Sequence, residues 1–193
     1  MSALPAARRD RFFQAAVDCF VRYGYRRTSM EVLAQAADMS RPAVYQYFRN
    51  KEEVFRAAVA WGLEGLAEEA EREAGGPGGA AERLSAVLGV VLRIHGDDVA
   101  GRREHARFHA ELMDETYARA RDIWTAFEGR ILGALRSVLA DGGAPLPRSA
   151  PPARTADVAT VLLCGVQGIA LHPGAVKERE RLLGLLIAMT VGT

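Results

Sequence analysis

The sequence offers almost nothing from which to build a β-sheet, a disulfide framework, a membrane anchor or an active site. Alternating apolar and polar residues are nearly absent, whereas apolar residues recur at spacings of three and four almost throughout, so the expected fold class is all-α. There are only two cysteines among 193 residues, Cys19 and Cys164, far apart and each inside an apolar helical pattern. They read as buried free thiols in a reducing compartment. The most apolar stretches, Val158–Leu171 and Leu182–Val191, are too short and broken to span a bilayer. Arg8, Arg9, Asp10 and Arg11 interrupt the place where a secretory signal would need an uncharged apolar run. A cytoplasmic location without a membrane partner is therefore expected. Gly75–Gly79 lacks the Lys-Ser/Thr of a phosphate-binding loop, and no Ser/His/Asp order stands out. The densest carboxylates, Glu64, Glu68, Glu69, Glu71 and Glu73, follow a solvated helix face. No catalytic residue, cofactor or metal is assigned, and a non-enzyme is expected.

What is present is an uneven charge distribution and a series of helix signals. Residues 1–60 carry ten Arg/Lys against six Asp/Glu, and the remainder fifteen against eighteen, which places a basic head on a mildly acidic body. In the head, Phe13, Ala16, Val17 and Phe20 form one stripe of a helix from Ala6 to Tyr23 that Gly24 ends. Thr28 or Ser29 caps a second, short helix burying Met30, Leu33, Ala34 and Ala37, with Glu31 in its first turn. After Asp38-Met39, Ser40 caps a third helix with Pro42 in its first turn and Val44 and Phe48 facing inward. Asn50 caps a fourth, Lys51 to Glu73.

Beyond the glycine-rich break at 75–79, helices are predicted at Ala80–His95, Asp98–Met113, Asp114–Ala140, Arg154–His172 and Lys177–Val191, about nine in all. The long one carries a seam of Tyr117, Ala120, Trp124, Phe127, Ile131, Ala134 and Val138. The last two are apolar on more than one face, as a helix packed against both its own domain and a second subunit would be. That points to a homodimer joined through Leu162, Gly165, Ile169, Leu182, Leu186 and Met189, although Gly165 and Gly168 serve packing within one subunit equally well. His105 and His109 share a helix face near His95, a spacing that can hold zinc, but the surrounding run is highly charged and offers no cysteine. A metal-binding helical bundle or an all-helical enzyme is the alternative reading.

Two short helices joined by a tight turn, the first buttressing the second, make a helix-turn-helix. Leu33, Ala34, Ala37, Met39, Val44 and Phe48 would form its core, leaving Ser40, Arg41, Pro42, Ala43, Tyr45, Gln46 and Tyr47 outward or at the ends of the third helix. Arginine can fork onto guanine, glutamine can pair with adenine, and proline or alanine can touch a thymine methyl. The partner so implied is a double-stranded DNA operator.

At these residues the chain resembles the TetR family of bacterial regulators, over Arg9 to Val59. The resemblance runs through Ala15-Ala16, Phe20 and Tyr23-Gly24-Tyr25, then Thr28-Ser29-Met30-Glu31-Val32-Leu33-Ala34, Ala36-Ala37 and Ser40, and last Val44-Tyr45-Gln46-Tyr47-Phe48 and Asn50-Lys51-Glu52-Glu53-Val54. It implies base contacts from Arg41, Pro42, Ala43, Tyr45 and Gln46, and phosphate contacts from Thr28 or Ser29, Tyr45, Tyr47 and Lys51. It also implies a helix-turn-helix domain over 1–50, a connecting helix over 51–73, and a ligand-binding and dimerisation domain over 80–193. The protein would be a repressor released from a near-palindromic operator by an unidentified small-molecule effector. Leu88, Leu92, Phe108, Leu112, Trp124, Phe127 and Gln167 are the candidate lining of the effector pocket, although aromatics at helical spacing are more often plain core. One departure is Asp38, where the family usually has glycine; aspartate tolerates the left-handed conformation better than most residues. The charged faces carrying Glu68, Glu69 and Glu71, and Arg102, Arg103 and Arg107, would form a sliding contact between the connecting helix and its neighbour.

Overall fold

The computed structural model describes residues 6–95, 103–141, 155–172 and 176–191, and the side chains of these except 6, 7, 95 and 103–110. Among the described residues there are nine helices and no strand: α1 (Ala6–Arg27), α2 (Met30–Ala36), α3 (Arg41–Tyr45), α4 (Lys51–Ala74), α5 (Ala80–His95), α6 (Arg103–Arg119), α7 (Arg121–Asp141), α8 (Thr155–Ala170) and α9 (Val176–Val191). No helix among the described residues is long and apolar enough to cross a membrane. The chain divides into two compact units, Met1–Gly65 with Arg102–Ala126, and Leu66–Gly101 with Phe127–Thr193. The first unit thus adds α6 and the start of α7 to the head expected at 1–50.

In the first unit, Phe12, Phe20, Leu33, Val44, Val54 and Phe55 are fully buried in one cluster, with Met39, Phe48 and Leu112 packed against it. Phe20, Tyr25 and Phe55 meet edge-on or stacked at centroid distances of 5.0–6.0 Å. Each such side chain contributes about 1.5–3 kcal/mol by leaving water. Phe20 precedes the Gly24 break in α1, Tyr25 follows it and Phe55 lies on α4, and that fixes the end of α1 against α4.

The second unit packs α5 against α8 and α9 through Leu84, Leu88, Leu162, Val166, Leu183 and Ile187. Ile131, Ala134 and Val138 of α7 are buried as the seam predicts, and Leu135 is buried beside them. Arg83 donates to the terminal carbonyl of α4 at Ala74 and reaches Asp141 at 3.1 Å. That guanidinium satisfies a helix end and closes the loop around the glycine-rich break.

Several expectations need correction. The helix expected to begin at Asp114 does not: α6 runs on to Arg119, and α7 starts after Ala120. Neither glycine nor proline marks this break. Arg56 of α4 makes it, donating to the Arg119 carbonyl that ends α6 and forming a two-armed pair with Asp122 in the first turn of α7, at 2.8 and 3.0 Å. Tyr117 consequently sits on α6 rather than on the long helix, and is exposed, although its ring still meets that of Trp124 at a centroid distance of 5.5 Å. Glu69 and Glu71 pair with Arg93 at 2.5 Å and Arg130 at 2.7 Å; the other side of the expected sliding contact, Arg102 and the side chains of Arg103 and Arg107, lies outside the described residues. Cys19 is buried as expected, but Cys164 is exposed on α8.

Gly24 breaks α1 with φ 76° and ψ 163°, a region open to glycine almost alone. A Cβ there would also stand 3.0 Å from the Glu111 carboxylate. Gly24→Ala is expected to lower stability by about 1–3 kcal/mol. Urea denaturation followed by circular dichroism measures this, and an unchanged midpoint would show that the turn relaxes freely.

Candidate DNA-reading surface

The surface is assembled from two capped helices and a turn. Ser29 caps α2, its hydroxyl accepting from the Val32 N–H at 3.2 Å. Ser40 caps α3 in the same way through the Ala43 N–H at 3.3 Å. Between them Asp38 takes φ 53°, its N–H bonded to the Gln35 carbonyl while the Met39 N–H reaches the Ala34 carbonyl at 2.9 Å. This paired arrangement is a Schellman termination, which normally favours glycine at the left-handed position. Aspartate fills it here, as the sequence led one to expect. Asn50 caps α4 by accepting from the Glu53 N–H at 2.9 Å, while Glu53 reaches back to the Arg49 N–H at 2.7 Å.

α3 is only five residues long. Val44 is its buried anchor, and Arg41, Pro42, Tyr45 and Gln46 are exposed on the opposite side, with Ala43 and Tyr47 half-buried at the edges. Ser29 and Ser40 are exposed at the helix starts. The Arg41 guanidinium lies 3.8 Å from Glu31 of α2 and 5.6 Å from the centre of the Tyr45 ring.

Two residues expected to touch phosphate are engaged in the fold instead. Thr28 is buried, and its hydroxyl donates to the Gly24 carbonyl at 2.8 Å. It closes the end of α1 and leaves Ser29 as the exposed hydroxyl of that pair. Lys51 is half-buried, donating to the Tyr25 carbonyl at 2.8 Å with its ammonium 4.2 Å from the Tyr25 ring centre. Burial lowers its pKa, Arg119 adds to the effect, and Glu115 and Glu111 oppose it. Arg119 flanks the same ring at 4.5 Å. Burial raises the Tyr25 hydroxyl, with Arg119 acting against it.

Sequence reasoning missed Glu111, Glu115 and Arg119, which hold this turn and Tyr25 from α6. Glu111 accepts from the Arg26 N–H at 3.3 Å, and the buried Glu115 pairs with Arg119 at 2.6 Å and Arg26 at 3.6 Å. Their signal was the run of carboxylates near the end of a helix, indistinguishable in sequence from a solvated face.

The other assigned residues are dispersed. Leu88, Trp124 and Phe127 are buried, Leu92, Leu112 and Gln167 half-buried, and the side chain of Phe108 lies outside the described residues. A cleft between α5 and α9 is lined by Ser85, Gly89, Arg93, Gly184, Ile187 and Ala188 among others, and by none of the residues expected to form a pocket. Of the expected interface residues, Leu162 is 0% exposed within its own chain and cannot face a second one. Gly165 serves packing inside the subunit, since a Cβ there would stand 2.7 Å from Leu186. Ile169, Leu182 and Leu186 are half-buried, and Met189 is exposed. The side chains of His95, His105 and His109 lie outside the described residues, among which no three His, Cys, Asp or Glu gather as metal ligands.

Lys51→Met should therefore act first on folding. The thermal midpoint should fall by several degrees, as expected when about 1–2 kcal/mol of buried hydrogen bonding is lost. Differential scanning calorimetry checks it; a midpoint equal to wild type would return Lys51 to the surface.

Residues 12–58 match the model of the bacterial regulatory proteins, tetR family. The HTH-type transcriptional repressor Rv1474c of Mycobacterium tuberculosis is 40% identical over 68 residues, covering 35% of this chain and 36% of that protein. The curated relatives are thus matched over about a third of their length or less. Over the whole chain, a transcriptional regulator from Rhodococcus sp. Rha1 superposes with a TM-score of 0.68 at 25% identity, covering 95% of this chain and 96% of that one. The fatty acid degradation regulator FadR from Bacillus halodurans shares the fold, with a TM-score of 0.71 at 15% identity and 96% coverage of each. The capped helix-turn-helix thus lies within a segment that matches the tetR family, and over the rest of the chain the likeness is one of fold.

Proposed function

We propose that this protein is a transcriptional regulator that binds a near-palindromic DNA operator as a homodimer, in the manner of a repressor released by a small molecule. The observation that carries the reading is α3, whose buried Val44 and capping Ser40 hold Arg41, Pro42, Tyr45 and Gln46 on one exposed face. Those four offer a fork for guanine, an amide for adenine and apolar edges for thymine methyls. Ser29, Ser40 and Tyr47 lie where hydroxyls and N–H groups meet phosphates.

Pairing of two copies is supported by apolar surface on the second unit. On α8, Val161, Cys164 and Gly168 follow one exposed stripe, which Leu171, just past the helix end and 79% exposed, continues. On α9, Leu185 and Met189 do the same, with Met189 70% exposed. Contiguous apolar surface of this kind marks an interaction site, and two helices from each copy related by a two-fold axis would cover it. The interface accordingly moves from Leu162 and Gly165 to these outward residues, with Ile169, Leu182 and Leu186 at its margin. The likeness in fold to regulators such as FadR from Bacillus halodurans also supports a small effector bound in the second unit. Gln167 and Glu128, joined at 2.9 Å on α8 and α7, are the polar pair that would orient it.

Arg41→Ala should weaken binding to a duplex enriched from a randomised library by about 1–3 kcal/mol and relax one base pair per half-site. Fluorescence anisotropy on single-base variants reads this, and full affinity in the variant would remove α3 from the interface. Leu185→Arg together with Met189→Arg should yield monomers by light scattering and lose the enriched duplex. A wild-type chain that is monomeric at micromolar concentration would refute the paired arrangement.

A further inference from the structure

Glu31 is an exposed carboxylate placed on the very surface that would face a polyanion. It stands in the first turn of α2, beside the first residue of α3, with its Oε2 atom 3.8 Å from Nη1 of Arg41. Both side chains are open to solvent, 68% for Glu31 and 58% for Arg41, so the pair adds little to folding stability. Towards phosphate its charge is repulsive. Its place in the first turn suits the positive end of α2, and its contact with Arg41 gives it a second role.

A guanidinium has five N–H donors in one plane. Reading the O6 and N7 edge of guanine uses two of them, and the others stay free for a second acceptor. A lone exposed arginine samples many rotamers and gives up that freedom on binding. Arg41 is bounded on two sides, by the Glu31 carboxylate from the buttressing helix and by the Tyr45 ring from one turn further along its own helix. The relative placement of those two helices is fixed by the Asp38 turn and the buried Leu33, Ala34 and Val44. The carboxylate therefore has a rigid mount.

We infer that Glu31 is a positioning residue for sequence reading: it holds the Arg41 guanidinium, against the Tyr45 ring, in the orientation that forks onto one base. It lowers affinity for DNA in general and raises the preference for the correct sequence. The inference rests on the reading of α3 as the base-contacting helix.

The test uses Glu31→Gln, which keeps the size and hydrogen-bonding oxygen of the side chain and removes the charge. Two duplexes are titrated, one enriched by the wild-type protein from a randomised library and one of unrelated sequence. The ratio of the two affinities is the readout. Charge alone makes Glu31→Gln bind both duplexes more tightly and leaves the ratio unchanged. Positioning makes the unrelated duplex bind a few-fold more tightly while the enriched one gains nothing or weakens, so the ratio falls about ten-fold, with the lost discrimination at the base pair that Arg41→Ala relaxes. In an Arg41→Ala background the same substitution should leave the ratio untouched. A ratio that stays at its wild-type value in Glu31→Gln while Arg41→Ala lowers it overturns the inference and leaves the DNA reading intact. A fall that persists in the Arg41→Ala background also overturns it. If Arg41→Ala itself leaves the ratio unchanged, or no duplex is enriched, the reading of α3 fails and the inference with it.

Discussion

The arrangement of the head depends on how the end of α1 is closed. At Gly24 the backbone leaves the helix by a route that only glycine takes comfortably, and the carbonyls released there must find donors inside the fold. Thr28 supplies one from the next segment, and Lys51 supplies another from 26 residues along the chain. A third hydrogen bond runs the other way, from the Arg26 N–H to Glu111 on α6. Leaving any one of these groups buried and unpaired would cost about 1–3 kcal/mol. Tyr25 occupies the centre, with the Lys51 ammonium and the Arg119 guanidinium 4.2 and 4.5 Å from its ring centre and a T-shaped contact to Phe55. The direction in which α2 departs, and hence where α3 sits, follows from this closure.

Much of this was legible in the sequence, and the parts that were legible share a physical cause. Ser29, Ser40, Asn50 and Gly24 act on neighbours within four residues, so their types and spacing announce them. The same holds for the apolar periodicity of α1, α2 and α7. What escaped was set by partners distant in sequence. The break between α6 and α7 exists because Arg56 grips both sides of it, and Arg119-Ala120-Arg121 carries no local mark of a boundary. Thr28 and Lys51 are residue types that suit phosphate contacts, and only the tertiary structure shows their polar atoms already committed. Leu162 was assigned to an interface because apolar residues on several faces of α8 look alike in one dimension; burial sorts them into an inner set and an outward one.

The second unit spends its charges differently. Arg83, Arg93 and Arg130 each span two helices, pairing with Asp141, Glu69 and Glu71. These pairs are partly exposed and individually weak, so the unit is held chiefly by its apolar centre. Their effect is to set helix register while leaving the exposed apolar stripes of α8 and α9 uninterrupted by charge at Val161, Leu171, Leu185 and Met189.

The brevity of α3 sets a limit on information. Five residues in a groove can inspect three or four base pairs, and a word of that length recurs by chance roughly once per hundred base pairs. Against the millions of competing positions in a bacterial chromosome, one such reader is nearly blind. Two readers held at a fixed separation multiply their discrimination, because a chance word seldom has a second, correctly oriented copy at the right distance. In the proposed pair of copies, the short helix would transfer the burden of selectivity from the chemistry of side chains to a ruler, the distance between two identical heads, and any event that altered that distance would erase the message without touching a single letter-reading residue.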